Sequence, residues 1–476
     1  MTVLPRPEVS APRMSIDGEP VSTPSRIEVV DPATAAPFVA VPDAGPEHVS
    51  RAVAAAQRAG RVWRALSVEE RQKYLLQVVA ILRNHLDELA SLVTAEQGKP
   101  LGRARSEIES GLRYCEAHAQ FRIPTELVRD DDEETVVVNR VPLAVTAAIT
   151  AWNYPVLLML RKIAPALVAG STLIVKPSPY TPVATLRAGE LLQEVLPAGV
   201  VQVLSGGDEL GRALVSHPGI GKISFTGSVA TGRAIMAAAA PTLKRLTLEL
   251  GGNDAAIVLD DVDPAEIAAD LYWGGLSNCG QVCAAIKRLF VPESLAEDLA
   301  SALADVAASV VVGDGFADGV DMGPLQNRPQ LDLVRSLVAD AEQHGAEVYF
   351  RGEAPDGPGF FHPVTLVRRV RDDLPLARQE QFGPVLPLFT YSDLDEAIER
   401  ANASEFGLGA SVWAADEERA VAVAGRLEAG TVWVNQHPML SADTPFGGIK
   451  QSGLGVEGSV HGVLGHTDIC VLRVKH

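Results

Sequence analysis

The 476 residues carry 41 Lys plus Arg against 60 Asp plus Glu, a formal charge of -19, and such a surface repels nucleic-acid backbones and anionic membranes. With 47% hydrophobic residues and 41 glycines the composition suits a folded α/β protein rather than a disordered one, and the length calls for two or more lobes with a cleft between them. Four cysteines (Cys115, Cys279, Cys283 and Cys470) are too few for a disulfide framework and no basic-then-apolar leader opens the chain, so the cytoplasm is the expected compartment.

The first 25 residues, rich in Pro and Ser, read as a loose arm. From Pro46 to Gln97 apolar residues recur at helical spacing (Val53, Ala56, Val62, Leu75, Val78, Leu82, Leu86), which predicts two or three amphipathic helices. The run Thr135 to Val141 is rich in β-branched residues and is followed by Pro142, which suits an edge strand or a hairpin arm better than a sheet centre. Val141 to Val175 is the most hydrophobic stretch, but Asn153-Tyr154-Pro155, Arg161-Lys162 and Pro165 interrupt it, so a strand, turn and helix are expected there rather than a membrane span.

Short β-rich runs then alternate with helical ones: Ala144 to Thr150, Ser171 to Val175, Val200 to Leu204, Lys222 to Phe225 and Arg245 to Leu248 as strands, with helices between them. A second alternating series follows Asp254, with strands near Ala255 to Val258, Lys287 to Val291, Glu347 to Phe350, Val364 to Val367, Leu386 to Phe389, Ala410 to Val412 and Thr431 to Val434. Alternation of this kind predicts parallel sheets with crossover helices, hence two α/β lobes.

Cys283 stands thirty-four residues after Glu249 of Glu249-Leu250-Gly251-Gly252. A thiol nucleophile and a carboxylate base beside glycines are the parts needed to form and hydrolyse a thioester. Each alone has a plainer reading: Cys283 as core filler, Glu249 as a helix cap or loop residue. Gly280-Gln281 before Cys283 and Ala284-Ala285 after it suggest a turn opening a helix, where the helix dipole would favour thiolate. Phe225 to Gly232 is a strand, a Gly-rich turn and a helix start, equally a phosphate site or a capped helix. Asn153 is either a turn former or an amide aimed at an oxyanion. Cys279 is expected to fill core, with a regulatory disulfide to Cys283 as the rival reading. No His, Cys and carboxylate cluster has metal-ligand spacing, so no metal is expected.

Taken in order, seven segments resemble the aldehyde dehydrogenase superfamily: Trp152-Asn153-Tyr154-Pro155, Lys176-Pro177-Ser178, Phe225-Thr226-Gly227-Ser228, Glu249-Leu250-Gly251-Gly252, Gly280-Gln281-Val282-Cys283, Glu380-Gln381-Phe382-Gly383-Pro384 and Pro445-Phe446-Gly447-Gly448. The resemblance covers the chain from about Val30 to Lys475. It implies a two-lobed α/β fold: a Rossmann-like cofactor lobe (1–124 and 143–251), an α/β catalytic lobe (252–451) and a small β oligomerisation element (125–142 and 452–476) in a homodimer or homotetramer.

By the same resemblance Cys283 attacks an aldehyde, Asn153 and the Cys283 N–H hold the oxyanion, Glu249 activates water, and Lys162 and Glu457 support proton transfer. The implied cofactor is NAD or NADP. Trp152, Lys176 and Ser178 would line its adenosine side, Gly227 and Ser228 its pyrophosphate, Glu380 and Phe382 its nicotinamide ribose, with Ile149, Thr150, Pro179, Thr226, Thr231 and Leu250 in the same cleft. Tyr154, Arg161 and Phe446 would border the substrate.

Departures from the pattern add expectations. Pro179 stands where many members have a Glu that holds the adenosine ribose hydroxyls, so NADP is expected to be tolerated. Ala151 replaces a Pro with little expected effect, and Val456 replaces an Arg, which removes an ion pair from the implied oligomer core. Arg161 matches relatives acting on succinate semialdehyde, as a carboxylate anchor, although Ser277 stands where those relatives often have a second Arg. Its plainer reading is a helix cap or a surface ion pair. Uncharged aliphatic or aromatic aldehydes are the alternative substrates. An acylating enzyme using coenzyme A has no need of Glu249, and a silent oligomeric scaffold has no need of Cys283, Glu249 and Asn153 together.

Overall fold

The structure, a computed structural model, describes residues 3–476. Its N-terminal segment is not a loose arm. Strands β1 (Met14–Ile16) and β2 (Glu19–Val21) form a hairpin, and β1 joins the edge of the first large sheet, with Met14 and Ile16 fully buried. Pro and Ser dominate the segment's composition, yet three consecutive buried positions suffice to seat a strand. A second hairpin, β3 (Arg26–Asp31) and β4 (Ala36–Pro42), leads into four helices: α1 (Pro46–Trp63), α2 (Val68–Asn84), α3 (Leu86–Gln97) and α4 (Leu101–His118). The first three lie where helical periodicity places them. Ser67 and Glu70 close a reciprocal capping box at the start of α2, and Gly98, at φ +93°, ends α3 in the left-handed conformation.

Strands β5 (Glu126–Asp130) and β6 (Glu134–Pro142) form the expected hairpin, but β6 is not an edge. The C-terminal strand Thr467–Lys475 pairs with it along its whole length, so β6 is the centre of a three-stranded sheet. Its β-branched run is therefore bonded on both sides from Thr135 to Val138. Pro142, at its last position, lies where a missing N–H costs least.

The first lobe then alternates strictly: β7 (Val145–Ile149), α5 (Pro155–Ala169), β8 (Thr172–Lys176), α6 (Val183–Leu192), β9 (Val201–Val203), α7 (Asp208–Ser216), β10 (Lys222–Thr226), α8 (Val229–Ala239) and β11 (Arg245–Glu249). These five strands are mutually parallel in the order β9-β8-β7-β10-β11. From β7 the chain winds one way to β8 and β9 and then the other way to β10 and β11. The strand order thus reverses between β7 and β10, and a crevice opens at their C-terminal ends.

A second sheet contains β12 (Asp254–Val258), which leads through α9 (Pro264–Leu276) to β13 (Ile286–Pro292), and the strands Thr365–Arg368, Val385–Tyr391, Gly409–Trp413 and Thr431–Val434, all parallel to their neighbours. Glu347–Arg351 adds an antiparallel edge. Each sheet has its own core. Leu173, Ile174, Ile223 and the buried side of α5 pack in the first, and Ile257, Leu289, Phe290, Phe389 and Trp413 in the second. A small third cluster of Ala284, Leu408, Trp433 and Phe446 packs against Cys283. Among the described residues no helix is long and apolar enough to cross a membrane.

Because β1 completes the first core, Ile16→Ala is expected to cost about 2–5 kcal/mol and to lower the melting temperature of the first lobe. An unchanged thermal transition would place the N-terminal hairpin outside the cooperative fold.

Candidate active site

Parallel strands β7, β8, β10 and β11 end in register, with Ile149 opposite Lys176 and Phe225, and Thr226 opposite Glu249. Their C-terminal ends face a cavity of about 770 Å³ whose opposite wall comes from the second lobe. Trp152, Asn153, Tyr154, Arg161, Thr226, Gly227, Ser228, Glu249, Leu250, Cys283, Glu380 and Phe382 all line it. Ile149 and Lys176 end β7 and β8, Thr150, Ser178 and Pro179 follow those strands, Thr231 lies in the first turn of α8, and all six are outside the cavity wall. Phe446 is buried behind Cys283 rather than on the wall.

Cys283 does not open a helix. The preceding turn carries three consecutive left-handed residues, Asn278 (φ 51°), Cys279 (φ 59°) and Gly280 (φ 69°), and the chain then enters β13. The thiol therefore does not stand at the start of a helix formed by its own segment. Cys283 is half-buried, and its pKa is pushed up to about 12, by burial first and then by Glu380, Glu249 and Asp254, against the pull of Lys287. Cys279 fills core in the second lobe and is a free thiol, as is Cys283.

The Cys283 turn is stitched to the loop after β7. Asn153 Nδ2 donates to the Gln281 carbonyl at 3.0 Å, and Asn278 Nδ2 donates to the Asn153 carbonyl at 3.1 Å. Gln281 Oε1 in turn accepts from the Gln326 N–H at 2.8 Å. One hydrogen of the Asn153 amide is engaged by Gln281 and the other is left for a ligand.

Glu249 ends β11, buried, and among the described residues neither of its oxygens has a partner. Burial raises its pKa to about 8, although Lys162 and Arg161 pull it down. It is therefore largely protonated at neutral pH and becomes a base as pH rises through 8. Behind it Lys162 of α5 pairs with Glu457, both buried, and burial lowers the Lys162 pKa to about 7. On the other side, Glu380 accepts from the Gly252 N–H at 3.3 Å and lies 3.7 Å from Lys287 Nζ. A Cβ at Gly251 would fall 2.2 Å from the Glu380 carboxylate, so the approach of Glu380 depends on that glycine.

Arg161 neither caps a helix nor joins a surface carboxylate. It lies inside α5, lines the cavity and takes part in no ion pair among the described residues; its Nε is buried without a partner, and its guanidinium sits 5.6 Å from the centre of the Tyr114 ring.

Residues 20–471 match the Aldehyde dehydrogenase family. The chain belongs to that family. It is 41% identical to the phenylacetaldehyde dehydrogenase of Pseudomonas fluorescens, over 94% of this chain and 92% of the relative. It is 38% identical to the NADP-dependent succinate-semialdehyde dehydrogenase of Escherichia coli, over 93% of each chain. Among solved structures, an NADP-dependent enzyme of Escherichia coli superposes with a TM-score of 0.95 at 36% identity, covering 98% of both chains. As an aldehyde dehydrogenase the chain is an oxidoreductase that acts on aldehydes with NAD or NADP.

The crevice of this dehydrogenase suits such a dinucleotide. The N-terminus of α8 opens onto the cavity at Gly227 and Ser228, with the Ser228 hydroxyl accepting from the Thr231 N–H at 3.3 Å, so the helix is capped and also presents its positive end. At the strand ends, among the described residues, the buried hydroxyls of Thr150 and Thr226 lack partners and the buried Lys176 ammonium reaches only the Pro177 carbonyl. Trp152 and Phe382 meet edge to face at 5.2 Å on the wall. At Pro179 there is no carboxylate to repel a phosphate.

Sequence reasoning missed several residues. Arg113 and Tyr114 of α4 line the cavity, and its outer wall comes from Pro438, Leu440, Ser441 and Ala442. Lys99 and Glu107, also unread, are buried and bonded to the Asn153 loop. A sequence signal existed for Glu107: it shares the apolar face of α4 with Ala104, Ile108, Gly111 and Leu112, where a charge needs a partner.

A Cβ at Gly280 would lie 2.0 Å from the Gly383 carbonyl oxygen, and the position has positive φ. Gly280→Ala is therefore expected to shift the Cys283 turn, lowering kcat about a hundredfold as well as the melting temperature. Wild-type turnover in that variant would show that the turn does not set the position of the thiol.

Proposed function

We propose that this dehydrogenase oxidises a short ω-oxo acid, such as succinate semialdehyde, to the free dicarboxylic acid. Arg161 carries the reading: a guanidinium with no protein carboxylate, on the wall of the cavity that holds Cys283 and Glu249. Arg113 adds a second, exposed cation on the same wall, in place of the one that Ser277 does not supply. The remaining wall near Arg161 is largely apolar, with Leu157, Leu158 and Leu440. A substrate carboxylate bonded to Arg161 would leave the aldehyde end free to approach Cys283.

Glu249 in its base form takes the Cys283 proton, and the sulfur adds to the aldehyde carbon to form a thiohemiacetal. The free N–H of the Asn153 amide and the Cys283 N–H stabilise the oxygen that gains charge. Bound NAD or NADP would accept the hydride that leaves the thiohemiacetal carbon as the thioester forms, and Trp152, Lys176, Ser178, Gly227, Ser228, Glu380 and Phe382 would hold it. Glu249 then removes a proton from water as its oxygen bonds the thioester carbon and the C–S bond breaks. The acid leaves, and the thiol regains a proton. The thiol's new proton is the one Glu249 took from water; the first proton, taken from Cys283, has a way out through the Lys162–Glu457 pair behind Glu249 before Glu249 acts on water. The buried base favours hydrolysis over transfer to coenzyme A, and the open cavity beside Cys283 argues against a silent scaffold.

Tyr114, beneath Arg161, and the apolar wall favour a second reading, an uncharged aromatic or aliphatic aldehyde. We assign the lobes as 1–124 with 143–251, 252–451, and 125–142 with 452–476. The last element presents exposed Leu127, Val128, Ile469, Val471 and Leu472, which suit a contact with a second copy in a homodimer or homotetramer. Free cysteines fit a cytoplasmic setting.

The test is the rate of nicotinamide reduction with succinate semialdehyde and with butanal, each with NAD and NADP, for the wild type and Arg161→Leu. The acid-bearing substrate is expected to lead, with both cofactors turned over. Arg161→Leu should then lower kcat/KM for succinate semialdehyde about ten- to hundredfold more than for butanal, the size of a lost charged hydrogen bond, since butanal loses only the pull of Arg161 on Glu249. Equal losses on both substrates would remove the ω-oxo-acid assignment, and turnover with NAD alone would remove the role given to Pro179.

A further inference from the structure

A buried ion pair outside the reacting groups holds the Asn153 loop. Lys99 and Glu107 are both fully buried and lie 2.6 Å apart. Lys99 follows Gly98 at the end of α3, and Glu107 belongs to α4. From this pair, bonds run to both sides of the catalytic loop. Lys99 Nζ donates to the Asn153 backbone carbonyl at 2.8 Å and sits 3.8 Å from the centre of the Tyr154 ring. The other oxygen of Glu107 accepts from the N–H groups of Val156 and Leu157, at 3.1 and 3.3 Å, in the first turn of α5.

These bonds remove the local freedom that Asn153 would otherwise have. α5 begins with Pro155 and has no side-chain cap from its own flanking residues, so Glu107 is what satisfies its first donors. Asn153, two residues earlier, would be free to rotate its peptide plane, because its conformation is set neither by a strand nor by a helix. Lys99 on one side and Asn278 on the other hold its carbonyl, and the amide side chain reaches Gln281 from there. An ammonium buried against a carboxylate and a carbonyl is costly to place, and one carbonyl would be more cheaply satisfied by a neutral donor.

We infer that Lys99 and Glu107 are positioning residues that fix the Asn153 amide where an oxyanion develops. The inference rests on the proposed role of Asn153. Neither residue touches substrate. Lys99 acts through the Asn153 carbonyl, and Glu107 acts by orienting Lys99 and the start of α5.

A double-mutant cycle between position 99 and position 153 tests this, read as kcat for aldehyde oxidation at saturating aldehyde and cofactor, with iodoacetamide alkylation of Cys283 as a measure of the surrounding site. Asn153→Ala should lower kcat about a hundredfold or more, as loss of one oxyanion donor does. Lys99→Met should lower it about ten- to hundredfold in the wild type and less than about twofold in the Asn153→Ala background, with alkylation within about twofold throughout. Glu107→Gln keeps a carbonyl for Val156 and Leu157 while removing the charge, and should repeat the pattern with a smaller loss. It decides the matter alone if Lys99→Met does not fold. Equal losses in both backgrounds, or an alkylation rate changed equally in both, would overturn the inference while leaving Asn153 its role. Wild-type kcat in Asn153→Ala would instead overturn the role itself, and the inference with it.

Discussion

Glu249 is buried with neither oxygen bonded among the described residues, and an unpaired carboxylate there is expensive to ionise. That cost is what raises its pKa to the range where a carboxylate can both accept and return a proton near neutral pH. Lys162 and Arg161, on successive positions of α5, reduce the cost without bonding the group. The Lys162–Glu457 pair lies just behind, so the charges of the site are balanced across the crevice rather than in one contact. The thiol opposite shares the constraint: burial and three nearby carboxylates keep Cys283 protonated until a base takes its proton. Thiol and carboxyl are each weak alone at neutral pH, and their chemistry depends on proximity.

Proximity is set by the parallel sheet and by buried carboxylates from the helices packed against it. Strands β7, β8, β10 and β11 end in register; Lys176 and Glu249 are the last residues of β8 and β11, and the loops after β7 and β10 hold Asn153 and Gly227. The loops after β7 and β8 run into helices whose first N–H groups bond side chains far away in sequence. Glu107 binds the start of α5, and Glu96 binds the N–H groups of Val183 and Ala184 at the start of α6, at 2.6 and 3.0 Å. Neither helix has a local side-chain cap. Helices α3 and α4 therefore serve the site as well as the core, because each supplies one of these carboxylates.

Much of this was legible in the sequence because strands buried on both faces read as apolar runs and their helices as periodic ones; Ala144 to Leu248 is the clearest stretch. Cys283, Glu249 and Asn153 stood out through their collinear motifs, and the structure brings all three to one cavity. What was not legible depended on partners distant in the chain. Thr135 to Val141 reads as an edge until the C-terminal strand is known to pair with it. Asn278 and Gly280 are residue types that favour the left-handed conformation, but nothing in the sequence announces it for Cys279 between them. Lys99 and Glu107 fell outside any motif, and the N-terminal hairpin was hidden by its Pro and Ser content.

The central claim, that a thioester on Cys283 is released by Glu249, is tested most directly by intact-protein mass spectrometry of Glu249→Gln after reaction with aldehyde and NAD. A stoichiometric adduct with the mass of the acyl group, mapped to Cys283 and absent in Cys283→Ala, is the predicted result. A variant that turns over at the wild-type rate with no adduct, or that carries the acyl group on another residue, would contradict the account.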